Sequence, residues 1–179
     1  MSDAELVARV LAGDPRAFAA LAKRHHQGCA RLAYRMLGNR QDAEDALQET
    51  LLRAYRALGR YQERELFQAW LYRILVNQCR TLGARRARRD GRLMPDPVVV
   101  ERAAVPSTER REDLRDAFQV ALGGIEPKLR EAFLLKYGEG LEYAEMARIT
   151  GVGISALKMR VKRACDVMRP RLEGMLDEA

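Results

Sequence analysis

Aromatic residues are scarce in this chain, 6% of its 179 positions with a single tryptophan. Hydrophobic residues still reach 47%, so the core material is aliphatic and suits packed helices. No segment alternates apolar and polar residues as a half-buried strand would. Val98-Val99-Val100 is β-prone but sits among prolines and charges. No apolar run approaches the ~20 residues of a membrane span. Asp3 and Glu5 stand where a signal peptide needs positive charge. Cys29, Cys79 and Cys165 are widely spaced and odd in number, so they describe no disulfide framework. These absences lead us to expect a soluble, cytoplasmic protein.

Catalytic and metal chemistry are equally thin. Histidine occurs only at His25 and His26. With Cys29 they form the one metal-like cluster, too small for a closed zinc site, so no metal and no cofactor is expected. There is no phosphate-cradling glycine loop and no Ser/His/Asp set. The carboxylates read as helix caps or partners of nearby arginines. Nothing indicates an enzyme.

What the chain has in excess is positive charge. Its net charge is +7 and its pI about 9.7, which favours a polyanionic partner. Residues 1–90 hold 17 Lys and Arg against 10 Asp and Glu, and residues 113–179 hold 11 of each. That second stretch is neutral overall but polarised, with acid early and base late.

Helical periodicity covers roughly 3–12, 15–37, 41–58, 66–84, 113–123, 127–138, 141–150 and 154–169. The pattern breaks from Arg89 to Glu112, where Gly91, Pro95, Pro97 and Pro106 fall and no apolar stripe runs. We therefore expect an all-α protein of two small helical domains, 1–90 and 113–179, joined by an extended linker over 91–112.

Leu141 to Leu172 is the most informative stretch. Leu141–Thr150 reads as a short amphipathic helix, Gly151-Val152-Gly153 as a tight turn, and Ile154–Arg169 as a second helix ending before Pro170. Leu157, Val161, Ala164 and Met168 share one face of that second helix. Ser155, Lys158, Met159, Lys162, Asp166 and Arg169 lie on or near the opposite face, with Arg163 at its edge. Six basic residues stand against one acid between Lys158 and Arg171. Alone, such a helix is most often a solvated bundle face. Short helix, glycine turn and basic helix together read as a helix-turn-helix that places base in the major groove.

The first domain offers two surfaces. In helix 41–58, Asn39 is placed to cap. Ala43, Ala46, Leu47, Thr50, Ala54 and Leu58 share the inward side. Asp45, Gln48 and Leu52 face outward, flanked by Glu49 and Arg56. An outward leucine between an acid and an amide suits a protein contact, although one exposed leucine is ordinary. In helix 66–84, Phe67, Trp70, Leu71 and Ile74 turn inward, while Arg73, Asn77 and Arg80 line another side. The run Arg85, Arg86, Arg88, Arg89 and Arg92 follows. Guanidinium groups bind phosphate and asparagine pairs with a base edge, the alternative being a solvated cationic end. Tyr61 and Arg64 precede this helix in a polar segment, either a plain connector or a cradle for an unpaired base.

On these residues the chain resembles the extracytoplasmic-function (ECF) sigma factors, small two-domain initiation subunits of bacterial RNA polymerase. Asp42-Ala-Glu-Asp-Ala-Leu-Gln-Glu-Thr-Leu-Leu-Arg-Ala-Tyr-Arg-Ala-Leu58 is similar to the family's core-binding helix. Phe67-Gln-Ala-Trp-Leu-Tyr-Arg-Ile-Leu-Val-Asn77 is similar to its −10-reading segment. Arg130–Ala147 and Lys158-Met-Arg-Val-Lys-Arg-Ala164 are similar to its −35-reading domain. The resemblance implies that Asp45, Gln48, Glu49 and Leu52 meet core RNA polymerase (its β′ clamp helices, with β also in contact). It implies that Tyr61, Arg64, Trp70, Arg73, Asn77, Arg80, Arg85 and Arg86 serve the −10 element. Ser155, Lys158, Met159, Arg160, Lys162 and Arg163 would serve the −35 element. An anti-sigma factor becomes a plausible partner. The pattern is broken at Glu142, where a Ser or Thr usually caps, at Met159, where a small polar residue is usual, and at Val76 and Thr81. The rival readings are a stand-alone helix-turn-helix regulator and a helical adaptor for acidic protein, neither of which needs the Asp45–Leu52 surface.

Overall fold

A computed structural model describes residues 1–61, 66–91 and 109–177. Eight α-helices are present and no strand is found among these residues. They are α1 (Asp3–Leu11), α2 (Pro15–Leu37), α3 (Arg40–Ala57), α4 (Phe67–Asp90), α5 (Glu109–Gly123), α6 (Pro127–Phe133), α7 (Tyr143–Thr150) and α8 (Ile154–Asp177). A 3₁₀ turn, Leu58–Arg60, follows α3, and a wide π turn, Leu134–Gly138, follows α6. No described helix is long and apolar enough to cross a membrane.

Local chemistry explains most helix ends. Ser2 and Glu5 form a reciprocal capping box on α1. Asp14 caps α2 ahead of Pro15, and the carboxylate is held below its usual pKa range, chiefly by Arg9. Asn39 Oδ1 accepts the Asp42 N–H at 2.9 Å, so the expected cap on α3 is present. At α7 the Glu145 carboxylate accepts the Glu142 N–H at 2.9 Å. A glutamate thus stands at this cap in place of the more usual Ser or Thr.

Two helices outrun their expected ends. α4 continues through the arginine run to Asp90, because arginine is a good helix former and cations suit a C-terminal turn. α8 passes through Pro170 to Asp177. The ring forfeits one backbone bond, and tertiary contacts offset that loss. Arg171 Nη1 donates to the Ala121 carbonyl at 3.2 Å, and Leu172 packs on the core. Of the expected linker, residues 109–112 belong to α5, while 92–108 lie outside the described residues.

The helices form two units, α1–α4 and α5–α8, and these units pack on each other. α4 runs against α7, and α2 against α5, α6 and the π turn. The C-terminal end of α2 supplies part of the reason. The Tyr34 carbonyl, which also accepts the Gly38 N–H, accepts from Gln119 Nε2 (3.3 Å), and the Met36 carbonyl accepts from Arg130 Nη1 (2.7 Å). Arg35 also lies over the Phe118 ring at 5.8 Å.

Candidate functional site

On α8 the expected faces are present. Leu157, Val161, Ala164 and Met168 are buried, and Ser155, Lys158, Met159, Lys162 and Arg163 are exposed. Gly151, at φ 71°, closes α7 in the left-handed region and sets the second helix across the first. Thr150 Oγ1 braces the turn by accepting the Val152 N–H at 3.2 Å. Arg160 differs from its neighbours. It is half-buried and lines a cleft between the two helical units together with Gln48, Arg80 and Val152. Sequence inspection passed over Tyr143. Its ring lies beneath the ammonium groups of Lys136 (5.0 Å) and Lys158 (5.7 Å), which draws Lys158 toward α7.

On α3, Asp45, Gln48 and Leu52 are all exposed, Leu52 by 46%. Glu49 is half-buried and pairs with Arg53 at 2.6 Å. The inward side is as expected, with Thr50 bonded to the Ala46 carbonyl at 2.6 Å. Tyr55, three residues beyond Leu52 and 48% exposed, extends the ridge. Its i+3 spacing from Leu52 was the available signal. Its ring is fixed edge-on against Phe18 at 5.0 Å.

The surface around α4 departs most from a simple reading. Trp70 is only 6% exposed and lies in an aromatic cluster, 5.3 Å from Tyr61 and 5.6 Å from Phe67. Arg64 lies outside the described residues. Asn77 and Arg85 are exposed and Arg73 is half-buried. Arg86 reaches Asp42 on α3 at 3.3 Å.

Arg80 faces the second unit. Its Nε and Nη2 donate to the two Glu131 carboxylate oxygens, both at 2.7 Å, and Nη2 also reaches the Thr150 carbonyl at 3.2 Å. This bidentate bond raises the guanidinium pKa above its ordinary value. A second contact lies one face along. The Tyr72 hydroxyl donates to Glu139 Oε2 at 2.6 Å, and Arg31 lies 3.7 Å from the same oxygen. Burial, reinforced by that carboxylate, pushes the Tyr72 phenol upward, so it stays a donor. Gly28 makes room for it, since a Cβ there would stand 2.9 Å from the hydroxyl. His25, the strongest metal candidate by type, bonds Asp3 at 2.8 Å and packs on Phe67. No group of metal-ligating side chains occurs among the described residues.

Comparison with known proteins covers both units. Residues 21–89 match the family Sigma-70 region 2, and residues 115–167 match Sigma-70, region 4. The RNA polymerase sigma-H factor of Pseudomonas aeruginosa is 30% identical, over 99% of this chain and 97% of its own. The ECF RNA polymerase sigma factor SigM of Mycobacterium tuberculosis is 34% identical, over 98% and 85%. Among solved structures, CnrH in complex with the cytosolic domain of CnrY superposes with a TM-score of 0.70. It is 27% identical and covers 98% of this chain and 97% of that one. RpoE from Bartonella quintana, in complex with the anti-sigma factor NepR, has a TM-score of 0.69 at 25% identity, covering 89% and 96%. Two region matches in chain order, full-length relatives and the same helical architecture agree: this chain belongs to the ECF RNA polymerase sigma factors, which are promoter-recognising initiation factors and not enzymes.

Proposed function

We propose that residues 1–90 dock on core RNA polymerase and read the −10 element, that 91–112 link the two domains, and that 113–179 read the −35 element. The observation that carries this division is the pair of outward surfaces of opposite character. The α3 ridge of Asp45, Gln48, Leu52 and Tyr55 is acidic and apolar, which suits a protein. The α8 face of Ser155, Lys158, Met159, Lys162 and Arg163 is basic, which suits DNA. A stand-alone regulator has no use for the first of these surfaces.

In this reading Lys158, Lys162 and Arg163 approach phosphates and base edges through the major groove, and Met159, 52% exposed, adds an apolar contact. Arg73, Asn77, Arg80, Arg85 and Arg86 serve the −10 strand, with Tyr61 as a stacking surface on Trp70. The work is binding and strand capture, carried out in the cytoplasm with polymerase. The cleft between the two units, bounded by α2, α3, α4 and α6, is the surface we assign to an anti-sigma partner. In-vitro transcription tests the whole reading. Core enzyme plus this protein initiates from a subset of fragments in a promoter library, and initiation from none of them would refute it.

A further inference from the structure

We infer that Tyr143 is a positioning residue for recognition of the −35 element, its ring holding the Lys158 ammonium in place while leaving the N–H donors of that ammonium to DNA. The inference rests on the proposal that Lys158 meets DNA.

Chemistry carries the inference first. The long stem of a free lysine samples many rotamers, and fixing them on DNA weakens the contact it makes there. An ion pair would fix the stem beforehand, but a carboxylate also consumes donors, as Glu131 does with Arg80. An aromatic ring consumes none. Its face attracts the cation through the ring quadrupole and leaves the N–H groups free to donate. Lys158 Nζ stands 5.7 Å from the centroid of the Tyr143 ring, inside the reach of ~6 Å for such attraction. Lys158 is otherwise exposed, and no carboxylate pairs with it among the described residues. Lys162 lies one turn further along the same exposed face and has no ring beside it among those residues. Two lysines of one face therefore differ in how far they are held in advance.

Location carries it second. Tyr143 opens α7, is half-buried and packs against the core, so the ring itself is anchored. The reciprocal capping box of Glu142 and Glu145 fixes the helical turn that carries it. Leu157, the neighbour of Lys158, is fully buried and fixes α8 at the same level. Lys136 lies over the same ring at 5.0 Å, and a second ammonium there would repel the first. Its Nζ donates to the Leu141 carbonyl at 3.1 Å and to Glu142 Oε1 at 3.2 Å, so its charge is met beside the ring. Glu142 thus offsets the competing cation, and the ring stays available to Lys158. The first helix of the helix-turn-helix sets in place a donor group that the second helix carries.

Holoenzyme assembled from core RNA polymerase and full-length protein tests this, on the fragment of a promoter library from which it initiates most strongly. Affinity for that labelled fragment is measured for Tyr143→Phe, Tyr143→Leu, Lys158→Ala, Lys162→Ala and the double variants, with thermal unfolding of each free protein alongside. Tyr143→Phe keeps the ring and is expected to bind as wild type does. Tyr143→Leu is expected to weaken binding about two- to fivefold, the worth of an exposed cation–π contact. In a Lys158→Ala background the same change is expected to have no further effect, while in a Lys162→Ala background it weakens binding by its full factor. A ring with a merely structural role, or a leucine variant that folds poorly, would weaken binding equally in both backgrounds. That result would overturn the inference. So would a Tyr143→Phe variant as weak as Tyr143→Leu, or wild-type affinity in Tyr143→Leu beside a weakened Lys158→Ala. In each of those cases Lys158 keeps its place on DNA. Wild-type affinity in Lys158→Ala would instead remove Lys158 from the DNA surface, and the underlying proposal would fail with it.

Discussion

Replacing Leu52 by alanine separates a docking residue from a structural one on a single helix. Leu52 is 46% exposed in the free protein, so about half of its burial energy is still available to a partner. Full burial of a leucine contributes ~1.5–3 kcal/mol, which leaves roughly 1 kcal/mol for the contact. Its loss weakens core-polymerase binding about fivefold at ~1.4 kcal/mol per decade. Surface substitutions usually stay within about 0.5 kcal/mol in stability, so the melting temperature should move by no more than ~2 °C. Leu47 is the control: it lies five residues earlier, is 6% exposed and packs in the core. Leu47→Ala should cost ~2–5 kcal/mol and lower the melting temperature by several degrees or more. Adding Asp45→Arg to Leu52→Ala should deepen the binding defect without touching stability, because Asp45 is exposed and, among the described residues, bonds Gln41 on the same helix. Core affinity is read by titrating labelled protein with core enzyme, and stability by thermal unfolding. Wild-type affinity in the Asp45→Arg, Leu52→Ala double variant would remove the α3 ridge from the polymerase interface.

Other expectations follow from the same geometry. Lys158→Ala and Lys162→Ala should each lower the salt slope of duplex binding by roughly one unit if they touch only phosphate. Either one bonded to a base edge should instead cost about 1–3 kcal/mol and relax one position of a randomised −35 library. Gly151→Ala forces a Cβ into φ 71° and should cost ~1 kcal/mol, seen as a lower melting temperature. Cys29 and Cys79 are buried and their thiols are pushed up to about 12, mainly by burial, so Cys165 should react first with a thiol reagent under native conditions. The sign for stability follows from these raised values. The buried thiols stabilise the fold fully below their ordinary pKa of 9.0, and that contribution is lost as pH climbs from 9.0 toward about 12. Thermal unfolding of wild type against Cys29→Ser across that range checks the slope.

Sequence by itself determined the helices, their faces and the helix-turn-helix. Each of those depends on residues within a turn or two of one another. Asn39 caps its own helix, Gly151 ends its own, and Leu157, Val161, Ala164 and Met168 line up by the helical repeat alone. The exposed Asp45–Leu52 ridge was legible for the same reason. Only the tertiary structure decided which polar groups are engaged. Arg80 looks like its neighbours Arg73 and Arg85 along the chain, yet it is held by a glutamate 51 positions away. Trp70 was placed both inward by periodicity and at the −10 element by resemblance, and the aromatic cluster puts it beneath Tyr61. Pro170 is a stop signal locally, and α8 passes it because Arg171 and Leu172 find partners on the core. Periodicity reports which side of a helix is apolar. It carries no information about which distant carboxylate reaches a given guanidinium, because that pairing exists only once the two units have packed.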